Sequence, residues 1–357
     1  MLQRVNEYGS EYDWDSSQEY IHSTIRNKFV ISQHGFRSGR DALRAVAKKH
    51  IASHTKILMP ALSCEAMVSP FQENGYLIIY YKLNKDCSAD FEDIVTNTSN
   101  ESILLYINYF GKLSLTNDQL LFLQNKFKNL VTIEDRTHDF FATRPNNSYI
   151  PDYSVCSLRK WLSIPDGGLL YTKINMRFDK KKDVSFADIR IKAMKAKSEY
   201  LKSDDDASIK EQFRGKLAEA NRILELDTYS YDMSRLSHEM LCFLDFERMY
   251  QKRIQNVTIM AECLEGIKAV SLIVSKPERS TLYFPILVDK RDEIQTKLAS
   301  KKIYCPIIWP LPKGSIGISQ TADFISKHML ALPCDHRYNE TDMIYICKIL
   351  KEIVETC

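Results

Sequence analysis

The stretch SVCSLRKWLSIPDGG, residues 154–168, decides how the rest of the chain is read. A short apolar run closes at Ser157. Arg159 and Lys160 follow with no acidic neighbour, then Trp161, and the Gly167-Gly168 pair opens another apolar run, LLYT. The pattern is a strand, a turn and a second strand, with a lysine carried into the turn. Burial disfavours the charged form of an amine, and a neutral amine is a nucleophile towards aldehydes, which is one reason to carry a lysine inside. A surface lysine that snorkels to water is the ordinary alternative.

Upstream, residues 38–172 alternate helix and strand signals. DALRAVAKKHIA has apolar residues at helical spacing, KILMP is a short strand, CEAMVSPFQENG a helix ended by Gly75, and YLIIYYKL a second strand. ESILLYINYFG reads as strand and turn, TNDQLLFLQNKFKN as a helix capped by Thr116 or Asn117, and LVTIED as a strand ending in two carboxylates. Strands separated by helices of this length imply an α/β fold with a mainly parallel, doubly wound sheet. Past LLYT, long helices are expected over 184–224, interrupted by SDDDAS, and over 234–267. VSLIVS, TLYFPILV and IYCPIIWP then read as strands, and RDEIQTKLASKK and ETDMIYICKILKEIV as helices. In the last of these, Met343, Ile346, Cys347, Ile349, Leu350, Ile353 and Val354 share one apolar face. The expected organisation is a large α/β domain over residues 1–235 and a smaller α+β domain over 236–357.

Composition narrows the function classes. The 49 basic and 46 acidic residues of the 357 are interspersed, giving a net charge of +3 and no basic face for a nucleic acid to select. Nine scattered cysteines without a CxxC pair argue against a disulfide framework or a zinc site, so they read as reduced thiols and no metal is expected. The acidic, polar start MLQRVNEYGSEYDWDSS is unlike a signal peptide, and no apolar run approaches the roughly 20 residues of a membrane span. A cytoplasmic globular protein with no membrane partner is expected.

Three groups fall where an open parallel sheet binds ligands, at the carboxyl ends of strands. Ser38-Gly39-Arg40 begins a helix, where free N–H groups and the helix dipole favour an anion such as phosphate. Taken alone, this is also what an ordinary cap looks like. LVTIED ends in Glu134-Asp135, and a carboxylate at that strand end could hold a protonated ring nitrogen, while His138 could hydrogen-bond a phenolic oxygen on the same ring. A helix-start acid pair beside a loop histidine is the plainer reading. Ser157 and Lys160 complete the set. Their order matches the needs of pyridoxal phosphate, whose phosphate, ring nitrogen and aldehyde want a helix start with a hydroxyl, a carboxylate and a lysine.

From about Ser38 onward the chain resembles the DegT/DnrJ-type sugar aminotransferases, which share the fold type I architecture of pyridoxal phosphate enzymes. SGRDALRAV is similar to that family's phosphate segment, IEDRTHDFF to its ED-x-x-H segment, and SLRKW followed by GG to its Schiff-base lysine segment. YINYFGK and LPCDHRYNETDMIYI are similar to further segments of the family. The resemblance implies that Lys160, Asp135 and His138 are catalytic, and that Ser38, Gly39, Arg40, Cys64, Asp135, His138, Ser157, Lys160 and Ser230 contact the cofactor. It also implies ping-pong transfer of an amine from an amino acid, glutamate foremost, to a keto sugar, nucleotide-linked, for polysaccharide or antibiotic sugar synthesis, by a homodimer. The sequence departs from the family at Arg40, which replaces a threonine, and at Cys64, which replaces an aromatic ring. In TYSYDMS, Ser230 and Asp232 occupy the positions of the asparagine and arginine that reach the partner's phosphate. Those departures motivate the alternative of a degenerate relative acting as a binding or regulatory subunit.

Overall fold

The computed structural model describes residues 7–22, 33–141, 149–274 and 279–356. Its main sheet has seven strands in the order β1-β7-β6-β5-β4-β2-β3. They are β1 (His34–Phe36), β2 (Lys56–Pro60), β3 (Leu77–Tyr81), β4 (Ser102–Ile107), β5 (Val131–Asp135), β6 (Tyr153–Ser157) and β7 (Gly168–Thr172). Only β7 runs against the others, pairing antiparallel with β6 and β1. The remaining pairs are parallel, as the alternating helices require. Central strands are buried on both faces, β4 along its whole length, which is why SILLYI is a continuous apolar run with no polar alternation.

Helix α1 (Gly39–His50) is capped by the Ser38 hydroxyl, which accepts from the Asp41 amide, and its last turn carries Lys48, Lys49 and His50 against the negative end of the dipole. Helices α2 (Glu65–Gln72), α3 (Phe91–Asn97) and α4 (Asn117–Lys126) connect the parallel strands. Thr116, not Asn117, caps α4, in a capping box with Gln119. The expected 184–224 helix is α5 (Ser185–Lys202) and α6 (Ala207–Leu226), broken at the SDDDAS loop. The second long helix is also two, α7 (Arg235–Phe243) and α8 (Phe246–Leu264), because Asp245 leaves helical geometry to cap α8.

The C-terminal region departs most from expectation. Its sheet has three strands in the order β10-β9-β8: β8 (Ser271–Leu272), β9 (Phe284–Leu287) and β10 (Met329–Leu332). IYCPIIWP is not a strand. Pro306 and Pro310 lack the N–H that a ladder needs, and Ile303 makes only an isolated bridge with Tyr8. The place in the sheet is taken by β10, a four-residue run too short to carry a period, reached through α10 (Gln320–His328), which the sequence reading also missed. Helices α9 (Arg291–Ser300) and α11 (Glu340–Val354) cover this sheet. Six of the seven apolar residues expected on one face of α11 are buried, with Ile349 partly so. They form a second core with Tyr8 and α8, separate from the core around the main sheet.

Candidate active site

Ile107, Asp135 and Val155 are register neighbours at the carboxyl ends of β4, β5 and β6, and all three line one small cavity of about 70 Å3. Of the two carboxylates closing β5, Glu134 is tied down, accepting from Asn108 and from Ser154, each at 2.9 Å. Asp135 faces the cavity, with one oxygen accepting from the Thr137 amide at 2.7 Å. Burial raises its pKa; the Thr137 hydrogen bonds and the Lys160 charge pull the other way.

His138 lies in the turn after β5, only 1% exposed, and neither ring nitrogen has a hydrogen-bond partner among the described residues. Phe110 and Trp309 pack beside the ring with centroids at 5.0 and 5.1 Å. Burial, assisted by the Lys160 charge, lowers its pKa to about 3, so the imidazole is neutral. A buried imidazole with two orphaned nitrogens is costly unless a ligand completes it.

Lys160 ends the short 3-10 turn Leu158–Lys160 that follows β6. Trp161, fully buried, fixes that turn: its Nε1 donates to the Thr137 carbonyl at 2.6 Å, and its own carbonyl accepts from the Tyr12 hydroxyl at 2.9 Å. The lysine is half-buried rather than sealed, and its charge acts on Cys64, Asp135 and His138 together. Cys64 lies on the same wall with its thiol pKa pushed up by burial.

The phosphate-side expectations meet at the start of α1. Gly39 packs on Ser157, so that a Cβ on Gly39 would stand 3.4 Å from the Ser157 Cβ. Gly168 packs on the same turn: a Cβ there would stand 2.3 Å from the Ser38 carbonyl carbon and 2.6 Å from the Gly39 nitrogen. The Ser38 hydroxyl is spent on Asp41, donating to its carboxylate at 2.6 Å. Asp41 is itself buried between Arg37, at 3.0 Å, and Arg44, at 3.3 Å. The Arg40 side chain donates to the Leu224 carbonyl at 2.7 Å.

Eight of the nine expected site residues, Ser38, Gly39, Arg40, Cys64, Asp135, His138, Ser157 and Lys160, line this one cavity. Ser230 stands elsewhere. Its hydroxyl donates to the Asp41 carbonyl at 2.9 Å, Asp232 pairs with Lys180, and Tyr231 lies under the Arg37 guanidinium at 4.0 Å, so TYSYDMS braces α1 of its own chain. Among the wall residues given no role from sequence are Thr137, Trp309 and Arg159. Position next to Asp135 and Lys160 was the available signal for Thr137 and Arg159. Nothing local marks Trp309, which arrives from the C-terminal region. Arg159 and Lys160 also line a cleft of about 740 Å3, bounded by Glu11 and Tyr12, by Lys210 and Arg214 of α6, and by Asp335 and Arg337.

Solved structures of similar shape exist. The Helicobacter pylori aminotransferase PseC, involved in the biosynthesis of pseudoaminic acid, superposes with a TM-score of 0.66 at 14% identity, covering 99% of this chain and 100% of that one. The fold is that of the sugar aminotransferases. A DegT DnrJ EryC1 StrS aminotransferase from Brucella abortus gives 0.63 at 15% identity over 94% and 92% of the two chains. DesI, solved in the presence of its TDP-sugar product, gives 0.65 at 14% identity over 90% and 80%. No family model and no curated protein matches the sequence. The α/β sheet with its single reversed strand is thus the fold type I sheet expected from the sequence.

Proposed function

We propose that this chain is a pyridoxal phosphate-dependent aminotransferase that moves an amino group from an amino acid, glutamate foremost, to a keto sugar carried on a nucleotide. The observation that carries the reading is the convergence of Lys160, Asp135 and the orphaned His138 on one cavity beside the start of α1. Those residues fit the cofactor. The Gly39 and Arg40 amides and Ser157 would hold its phosphate, Asp135 its ring nitrogen, and His138 its ring hydroxyl. Bound there, pyridoxal phosphate supplies an electron sink for the carbon from which a proton is removed.

The chain's own part in the reaction is positioning and proton transfer. An ionised Asp135 would accept a hydrogen bond from a protonated ring nitrogen, and that cation would offset the burial that raises the carboxyl's pKa. His138, neutral at physiological pH, offers one N–H and one lone pair and brings no second positive charge. Lys160 Nζ stands where it would take the proton from the substrate carbon and hold it for return to the product. The adjoining 740 Å3 cleft has room for a substrate larger than an amino acid, and its walls carry Arg159, Lys210, Arg214, Arg253 and Arg337 against Glu7, Glu11 and Asp335, an excess of positive charge. That supports an anionic sugar carrier as acceptor, in keeping with the TDP-sugar seen with DesI. Membership of the DegT/DnrJ family, a homodimeric state, a cytoplasmic location and a role in surface polysaccharide synthesis belong to the same proposal.

The test is the visible spectrum of purified protein with pyridoxal phosphate, before and after borohydride. A yellow chromophore fixed to Lys160, lost in Lys160→Ala and bleached by glutamate, is expected. A protein that takes up no pyridoxal phosphate would sink the aminotransferase reading in favour of a binding subunit.

A further inference from the structure

Of the two arginines on the cavity wall, Arg40 donates to the Leu224 carbonyl, whereas Arg159 has neither a hydrogen bond nor an ion pair among the described residues. The Arg159 Nε is buried and makes no hydrogen bond. The two carboxylates that feel its charge, Glu11 and Asp41, are committed elsewhere. Glu11 is held by Arg190 at 3.1 and 3.2 Å, and Asp41 lies between Arg37 and Arg44. Arg190 and Arg40 add positive charge beside it, and with burial as the larger cause its pKa falls to about 10. An arginine in that setting costs free energy that an anion would recover.

The position says which anion. Arg159 follows Ser157 by two residues and shares the cavity wall with Ser38, Gly39 and Arg40 at the start of α1. Arg40 has turned onto the Leu224 carbonyl, and Ser230 and Asp232 are tied to α1 and Lys180. We propose that the Arg159 guanidinium is the cationic contact for the cofactor phosphate, supplied from within the chain by the residue before the lysine. The inference rests on the pyridoxal phosphate reading above. Its physical basis is that a guanidinium fork matches phosphate oxygens bidentately and stays charged even when its pKa is lowered.

The experiment compares the affinities of pyridoxal phosphate and of pyridoxal, which lacks the phosphate, for apo wild type, Arg159→Gln and Arg159→Lys. Losing a charge-assisted contact should weaken pyridoxal phosphate roughly ten- to hundredfold in Arg159→Gln, with pyridoxal unchanged and Arg159→Lys between. In wild-type apoprotein, inorganic phosphate should shield Arg159 from modification by phenylglyoxal, read by peptide mapping, which needs no folded variant. Equal weakening of both ligands, an unchanged affinity for pyridoxal phosphate, or protection mapped to other arginines only would overturn the assignment. Wild type that binds no pyridoxal phosphate would instead remove the functional reading on which it rests.

Discussion

Gly168→Ala tests whether the phosphate-side turn is built by direct backbone contact between β7 and α1. The new Cβ would stand 2.3 Å from the Ser38 carbonyl carbon, 2.4 Å from its oxygen and 2.6 Å from the Gly39 nitrogen. Carbon contacts relax at about 3.5 Å, so the Ser38-Gly39 turn must move by about 1 Å. All three obstacles are backbone, so no rotamer change relieves them. Overpacking of this kind costs about 1–3 kcal/mol, read as a fall in the urea midpoint of the apoprotein. The shifted amides of Gly39 and Arg40 should also weaken pyridoxal phosphate about tenfold or more. Gly215→Ala is the control: it lies inside α6, a Cβ there meets nothing within 4 Å, and the helix should gain about 0.5–1 kcal/mol. If Gly168→Ala keeps both the urea midpoint and the cofactor affinity of wild type, the close approach is not what positions the turn.

Other consequences follow from the buried charges and thiols. Asp41→Asn removes the carboxylate shared by Arg37 and Arg44, each with a side chain 1% exposed; because Asp227 and Glu73 still pair with them, it should cost about 1–3 kcal/mol in chemical denaturation. His138 is held near 3 against an ordinary 6.5, so on acidification the unfolded chain takes up a proton that the folded chain refuses. Its contribution to stability is intact above pH 6.5 and declines as pH falls towards 3, so the urea midpoint of His138→Phe should fall less steeply over that window. Among the described cysteines, exposed Cys263 should be alkylated first. Half-buried Cys64, its thiol pKa raised by burial, should react slowly and be shielded further by pyridoxal phosphate; mass mapping that finds Cys64 indifferent to the cofactor would remove it from the cavity wall.

Residues 38–172 were legible because their signals are local. Ser38 and Thr116 cap helices through hydrogen bonds within four residues, and the runs KILMP, SILLYI and VTIED are long enough to declare buried strands. Order along the chain then put Gly39, Asp135 and Lys160 at one edge of one sheet, since right-handed crossovers leave successive parallel strands with their carboxyl ends together. In the C-terminal sheet, VSLIVS and TLYFPILV read as strands and contain β8 and β9. The sequence reading misses β10, a four-residue run directly after α10 in which no period can be counted, and takes the apolar IYCPIIWP in its place.

The sequence by itself therefore determined the parallel α/β sheet and the strand ends at which chemistry can occur, because capping and strand burial are short-range; Cys64, and Asp135 rather than Glu134, were added by the family resemblance. The tertiary structure decided everything that depends on contacts between distant segments. Gly168 meets Ser38, Trp309 closes over His138, and Ser230 spends its hydroxyl on Asp41. Arg159 is left facing the cavity because Glu11 and Asp41, far from it in the chain, had already found other arginines. Which carboxylate a buried charge finds is settled by three-dimensional packing, and a one-dimensional pattern carries no trace of it.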